Sequence, residues 1–226
     1  MPVRKEEYRT LREDLLYMAN LVQAAIRESV RSLVERDSDA ARAVIEGDKK
    51  INAFDVKIDE ECIRLLALCQ PMGKDLRIIT TAMKITTDLE RIADNAVNIA
   101  ERALELNQEP ILKPYIDIPK MSEIAQGMVR NAIDAFLKED VNLALDVIKQ
   151  DDEMDELNEA VLFELTFIMT QDPSTVSRGI KISYVSKYLE RIGDHATNIA
   201  EMVVYMVKGK IIRHMLPKEL DIFGEE

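Results

Sequence analysis

The sequence has few of the residues that turn or break a chain. Its 226 residues include seven glycines and seven prolines, together about half the usual ~12%. Because each strand connection in a β-protein needs a turn, this scarcity argues against an all-β fold. Tryptophan is absent and aromatic residues make up 5%. The apolar fraction of 47% is nevertheless too high for a disordered chain.

Positive charge and long apolar runs are also in short supply. There are 30 Lys and Arg residues against 42 Asp and Glu residues, for a formal charge of −12. Nucleic-acid binders need a basic face to displace counterions, so this balance argues against that class. No apolar run approaches the ~18 residues of a membrane span, and no signal peptide is visible. We therefore predict a cytoplasmic protein that does not insert into a membrane.

Cysteine and histidine are nearly absent, with two residues of each. Cys62 and Cys69 are seven residues apart, which on a helix separates their Cα atoms by ~10.5 Å. That is too far for a disulfide, so we predict two free thiols in the core. The chain also lacks the phosphate-binding loop, the zinc-protease motif and the nucleophile elbow. The sequence therefore gives no positive indication of an enzyme.

What the sequence has in abundance is helical periodicity. Apolar residues recur at alternating steps of four and three from Ile85 to Leu106 and again from Ile182 to Met206, which is the spacing of bundled helices. Asp-Ser-Asp at 37–39, Pro-Met-Gly at 71–73 and Asp-Pro-Ser at 172–174 interrupt the pattern. These signals predict six long helices near 4–36, 38–70, 74–107, 120–138, 141–171 and 174–208.

The two halves of the chain repeat each other. Residues 88–101 read DLERIADNAVNIAE and residues 188–201 read YLERIGDHATNIAE, identical at ten of fourteen positions. Upstream, Asp48 matches Asp151 at an offset of 103 residues. We therefore predict an all-α fold of two tandem, internally duplicated three-helix bundles. The first bundle spans residues 1–108, a proline-containing linker spans 109–119, and the second bundle with a C-terminal tail spans 120–226.

Oxygen-bearing side chains line one stripe of the second and third helix of each half, next to the apolar stripe. In an antiparallel pair, facing residues have a constant index sum, and the two turns place acidic pairs at matching heights. The register predicts that Asp48 faces Asp94 and Asn52 faces Glu90 in the first half. In the second half, Asp151 faces Asp194 and Asp155 faces Glu190.

Two interpretations of this carboxylate constellation stay open. Crowded carboxylates repel unless a cation joins them, and oxygen-only ligation suits Mg, Mn, Ca or Fe. The predicted metal ligands are Asp48, Asn52, Glu90, Asp94, Asp151, Asp155, Glu190 and Asp194. Asn52 is a neutral ligand, so the first site should be the weaker. The alternative is a solvated acidic face whose charges are balanced by Arg91 and Arg191.

The motifs LERIADNAVNIAE and LERIGDHATNIAE, each preceded by a D-xxx-N/D helix, resemble the duplicated signature of the PhoU family. Gln70-Pro71 followed by Asp75-Leu76-Arg77, and the linker from Leu112-Lys113-Pro114 to Ile118-Pro119, match the same family. The resemblance extends over essentially the whole chain. It implies six helices in two three-helix bundles and no enzymatic activity.

The resemblance also implies a function. It implies a cytoplasmic, dimeric regulator of phosphate homeostasis that represses high-affinity phosphate uptake and the phosphate-starvation response. The implied partners are the ATPase subunit of the phosphate ABC transporter and a phosphate sensor histidine kinase. The implied cofactors are carboxylate-bound metal ions, which could be iron, manganese, magnesium or zinc. The alternatives are a metal-dependent phosphoester hydrolase and a structural helical dimer without metal.

Overall fold

Six long helices build the molecule. A computed structural model describes residues 5–213, 215 and 223, and this part of the chain contains no strand. The helices are α1 (Lys5–Val34), α2 (Ser38–Cys69), α3 (Lys74–Leu106), α4 (Asp117–Lys138), α5 (Val141–Gln171) and α6 (Val176–Lys208), and one 3-10 turn (Pro173–Thr175) precedes α6. The all-α fold predicted from the periodicity is confirmed.

The helix ends follow from local chemistry. Asp37 accepts hydrogen bonds from the backbone N–H groups of Asp39 and Ala40 at the start of α2, and Asp140 accepts one from Leu143 at the start of α5. These caps satisfy N–H groups that have no partner within the helix. Gln70 ends α2 in a left-handed conformation, with φ of 47°, which a residue with a Cβ adopts only at a cost.

Two predicted boundaries need correction. We predicted that α4 starts at residue 120, but it starts at Asp117, so Pro119 lies in its first turn. Proline fits there because a first-turn N–H has no helical acceptor. The α6 helix begins two residues later than predicted, because Pro173 first forms a 3-10 turn that Asp172 caps. The predicted start of α1, at residue 4, lies outside the described residues.

Each half contributes three helices, and the two halves meet along α3 and α6. Helices α1, α2 and α3 pack on one another, as do α4, α5 and α6, while α3 packs on α6 and α1 on α4. The apolar stripes of both signature helices are fully buried, Leu89 and Leu189 among them. Cys62 and Cys69 are both buried and form no disulfide, as predicted. In the described part of the chain, no helix is long and apolar enough to cross a membrane.

Polar contacts also join the two halves. Glu139, at the end of α4, forms ion pairs with Arg12 of α1 at 3.0 Å and with Lys74 of α3 at 2.5 Å. Arg77 of α3 donates a hydrogen bond from Nε to the backbone oxygen of Met206 in α6, at 2.9 Å. Lys74 and Arg77 both lie in the first turns of α3, so these contacts hold the first half against the second at that end of the α3–α6 pair.

The connection between the halves is anchored to both of them. Arg36 of the first half donates hydrogen bonds to the backbone oxygens of Asn107 and Glu109 at 2.5 and 2.8 Å. In the second half, Lys181 forms an ion pair with Glu109 at 2.8 Å, and the buried Lys113 pairs with Glu164. The predicted linker is therefore a fixed segment, while the predicted domain limits of 1–108 and 120–226 stay a prediction.

Candidate functional site

The second half brings four carboxylates together between α5 and α6. After burial, the groups that most raise the pKa of Asp151 are Asp194, Asp155 and Glu190, with a smaller effect from its neighbour Asp152. After burial, Glu190 is the strongest of the groups that raise the pKa of Asp155. The largest carboxylate contribution to the raised pKa of Asp151 and of Asp155 thus comes from the residue opposite in the antiparallel register, whereas for Asp194 it comes from Glu190 on the same helix.

Asp151 is the most perturbed member of this group. Burial and the neighbouring carboxylates raise its pKa from 3.8 to about 7. Its Oδ1 is buried and has no hydrogen-bond partner. The absence of a side chain at Gly193 makes room for it, since a Cβ there would lie 3.1 Å from Asp151 Oδ1. A buried carboxylate oxygen without a donor is costly, and a cation beside it would remove that cost.

Glu190 lies next to the core and forms an ion pair with a lysine of its own helix. Its side chain is buried, and Lys187, one turn earlier on α6, donates to Oε1 at 2.5 Å. The other oxygen, Oε2, is buried without a hydrogen-bond partner. Lys187 also lowers the otherwise raised pKa values of Asp155 and Asp194. A metal ion at this site would therefore compete with the ammonium group of Lys187.

The first half places the equivalent residues between α2 and α3. Asn52 donates a hydrogen bond to Asp48 Oδ2 at 2.7 Å, and Asp94 contributes to raising the pKa of Asp48 beyond the effect of burial. Burial, then Asp94, raises the pKa of Glu90, which Arg91 partly offsets. Arg91 contacts both Glu90 and Asp94 at 3.4 Å. This set carries one carboxylate fewer and is nearer to charge balance.

Each carboxylate set has a buried oxygen without a hydrogen-bond partner at the equivalent position. Asp48 Oδ1, like Asp151 Oδ1, is buried without a hydrogen-bond partner, and these aspartates are equivalent in the duplication. The donor set is made of carboxylate and amide oxygens, which fits hard divalent cations chemically. Within the described residues, no three His, Cys, Asp or Glu side chains already converge tightly enough to hold a metal ion. Ligation would require the carboxylates to change rotamer.

A polar cleft of about 630 Å³ lies where α3 meets α6. All of its lining residues except Thr197 form pairs that are equivalent in the two halves. The lining residues are Arg91, Asp94, Asn95, Asn98, Arg191, Asp194, His195, Thr197 and Asn198. The predicted ligands Asp94 and Asp194 thus face both a carboxylate set and this shared cleft. His195 is bound through Nδ1 to Asp88 of α3 at 2.9 Å.

A family model described as "PhoU domain" matches residues 15–103 and again 118–203. The chain belongs to the PhoU family. Its two matches correspond to the two halves that carry the repeated signature motifs. The resemblance drawn from those motifs is therefore confirmed.

Relatives of known name support the same assignment. A Pseudomonas putida protein is 41% identical over 92% of this chain and 82% of its own length. An Aquifex aeolicus protein is 42% identical over 95% of this chain and 97% of its own length. Both are named "Phosphate-specific transport system accessory protein PhoU homolog". These names describe accessory proteins and no catalysed reaction.

The fold matches solved structures as well. The crystal structure of PhoU from Pseudomonas aeruginosa superposes with a TM-score of 0.88 at 41% identity, over 91% of this chain and 99% of that chain. The phosphate transport system regulatory protein PhoU from Streptococcus pneumoniae gives a TM-score of 0.84 at 27% identity, over 90% of this chain and 96% of that chain. The duplicated three-helix architecture is thus the one found in crystals of family members.

Sequence reasoning missed the residues that surround the predicted ligands. Lys187 stands where the first half has Thr87, and Gly193 stands where it has Ala93. Both differences lie at the offset of 100 residues that relates the two signature motifs. Comparing the repeats for their differences, as well as for their identities, would have identified both positions.

Proposed function

We propose that this protein is a cytoplasmic, non-enzymatic regulator that represses high-affinity phosphate uptake and the phosphate-starvation response. The names of its relatives, as accessory and regulatory proteins of phosphate transport, support this role. Its metal ligands are the eight residues named from the sequence, and the bound cation is iron, manganese, magnesium or zinc. Its partners are the transporter ATPase subunit, the sensor histidine kinase and a second copy of the chain.

One observation carries the metal sites in this proposal. Asp48 Oδ1 and Asp151 Oδ1, at equivalent places in two halves of different sequence, are both buried without a hydrogen-bond donor. The recurrence of this unpartnered oxygen at the duplicated position favours a cation-binding role over incidental packing. The second site is the stronger, because Asp155 supplies a charge that Asn52 does not.

Metal content of the full-length protein tests these sites. After equilibrium dialysis against Mn²⁺ or Fe²⁺, we expect elemental analysis to find metal in the wild type and less in Asp151→Asn. Lys187→Thr, which copies Thr87 of the first half, should bind more tightly because it removes the competing cation. Asp146→Asn, an exposed change on the same helix, is the matched control. Metal content that none of these changes alters would contradict the assignment.

Exposed aromatic residues support a protein partner. Phe163 and Phe167 lie one turn apart on α5 and are 79% and 62% exposed. Their equivalents in the first half are the charged residues Glu60 and Arg64. Large exposed apolar side chains favour an interaction site, and the relatives' names make a component of the phosphate transporter the expected occupant.

Transplanting the first-half residues tests that surface. Phe163→Glu with Phe167→Arg copies Glu60 and Arg64 and should weaken capture of the transporter ATPase subunit, while circular dichroism shows a folded protein. Ile63→Lys, at an apolar position 57% exposed on α2, is the matched control and should leave capture intact. Equal capture by all three proteins would exclude this surface as the docking site.

The regulatory role is tested in cells with a phosphate-starvation promoter. In phosphate-replete medium, Glu190→Ala with Asp194→Ala should derepress the reporter more than Glu90→Ala with Asp94→Ala does. Full repression by a folded Glu190 and Asp194 variant would exclude a regulatory role for the second site. Phosphoester hydrolysis by the metal-loaded protein, lost in the same variant, would instead favour the hydrolase.

A further inference from the structure

The cleft between α3 and α6 has features that neither carboxylate set explains. It contains two arginines from equivalent positions, Arg91 and Arg191, and two side-chain amides, Asn98 and Asn198. The Thr197 hydroxyl is buried without a hydrogen-bond partner among the described residues. The cleft thus concentrates hydrogen-bond donors from both halves of the molecule at one place.

Both arginines are exposed, and Arg91 is only weakly engaged with the protein. Arg91 reaches Glu90 and Asp94 at 3.4 Å, longer than a good charge-assisted hydrogen bond. Both arginines are exposed where they line the cleft. Guanidinium groups bind tetrahedral oxyanions with paired, parallel hydrogen bonds, which ammonium groups cannot do. The donor set is therefore suited to a phosphate-like anion.

The cleft also contains acidic side chains that repel such an anion. Asp94 and Asp194 lie in the same lining and cancel the charge of the two arginines. An anion would enter only after these carboxylates are neutralised. A cation held by the adjoining carboxylate sets would neutralise them and leave both guanidinium groups available to the anion.

We propose that this cleft binds inorganic phosphate through Arg91 and Arg191, and that binding requires Asp94 and Asp194 to be neutralised. Neutralisation by a metal ion rests on the metal sites of the proposed function. The anion site itself does not depend on them. Because each half supplies one arginine, the bound anion would bridge α3 and α6. The occupied cleft is thus a state of the protein that depends on phosphate and metal together.

Isosteric amides test the anion site without any metal. In chelator, Asp94→Asn with Asp194→Asn should bind phosphate at least roughly tenfold more tightly than the wild type in calorimetric titration, a gain of about 1.4 kcal/mol. Adding Arg191→Gln to this variant should abolish the gain. Adding Arg130→Gln instead, an exposed arginine of α4 outside the cleft, should preserve it.

The outcomes separate this inference from the metal sites. If the folded Asp94→Asn and Asp194→Asn protein binds phosphate no better than the wild type, the anion site is overturned, whatever metal the protein holds. Sulfate binding as tight as phosphate would overturn phosphate as the ligand. If the amide variant binds phosphate but the wild type takes up no metal, the cleft stands and the proposed metal sites fail. Loss of manganese-dependent phosphate binding in Arg191→Gln alone is an independent confirmation.

Discussion

Asp151→Asn should stabilise the metal-free protein at neutral and alkaline pH. Burial, then Asp194 and the other carboxylates, raises the pKa of Asp151 from 3.8 to about 7. Below pH 3.8 the carboxyl is protonated in both the folded and the unfolded state, so it has no effect on stability. Between 3.8 and about 7 the unfolded chain releases the proton while the folded protein retains it, and stability falls as pH rises.

The size of the effect follows from that interval. A pKa difference of one corresponds to about 1.36 kcal/mol, so the rise to about 7 costs the folded state roughly 4 kcal/mol above neutral pH. The asparagine side chain does not ionise and avoids this cost. For a chain of this length the variant should melt up to roughly 8–16 °C higher than the wild type. Because neighbouring side chains relax around a charge, roughly 4 kcal/mol is the upper limit.

Melting curves in chelator across the acidic to alkaline range measure this difference. The stabilisation should be largest at about pH 8, shrink steadily on acidification and vanish near pH 4. Asp146→Asn, exposed on the same helix, should melt like the wild type throughout. Saturating Mn²⁺ should reverse the order, because the ionised Asp151 is then a ligand. Equal melting temperatures for Asp151→Asn and wild type at alkaline pH in chelator would refute the reasoning.

Four other measurements follow from the structure. A hundredfold excess of Mn²⁺ over its Kd should stabilise the wild type by ~2.7 kcal/mol, a melting shift of roughly 5–11 °C that EDTA removes; identical curves would contradict it. Leu89→Ala should cost about 2–5 kcal/mol in urea unfolding, because the side chain is fully buried; a smaller loss would mean that the site collapses. Gln70→Gly should raise stability by roughly 1 kcal/mol in the same assay, since φ is 47°, and no gain would show an unstrained cap. Asp140→Ala should cost about 1 kcal/mol by removing the cap of α5, which an unchanged unfolding midpoint would disprove.

Periodicity and caps made most of the fold predictable. The bounds of α5 were predicted correctly because Asp140 caps one end and Asp172-Pro173 stops the other. The start of α4 was missed because proline signals both a linker and a helix first turn, and only packing decides between them. Ile118, in that turn, is buried in the core, which favours starting the helix early.

The candidate site was predictable in register but not in detail. Helix geometry places Asp151 opposite Asp194 and Asp155 opposite Glu190, and these partners contribute most, after burial, to the raised pKa values of Asp151 and Asp155, whereas Glu190 contributes most to that of Asp194. Helix geometry does not specify rotamers, so neither the unpartnered Asp151 Oδ1 nor the contact between Lys187 and Glu190 could be derived from spacing. The cleft between α3 and α6 depends on how the two halves pack together, which no repeat within the sequence encodes directly.

The anchored linker affects whether the two similar halves can undergo domain swapping between molecules. Two halves this similar could exchange between molecules, with the first half of one chain packing on the second half of another. Arg36 holds the segment to the first half, and Lys181 and Glu164 hold it to the second. A short tether fixed at both ends keeps the two halves of one chain at high effective concentration. Intramolecular pairing of the two halves is therefore favoured over domain swapping.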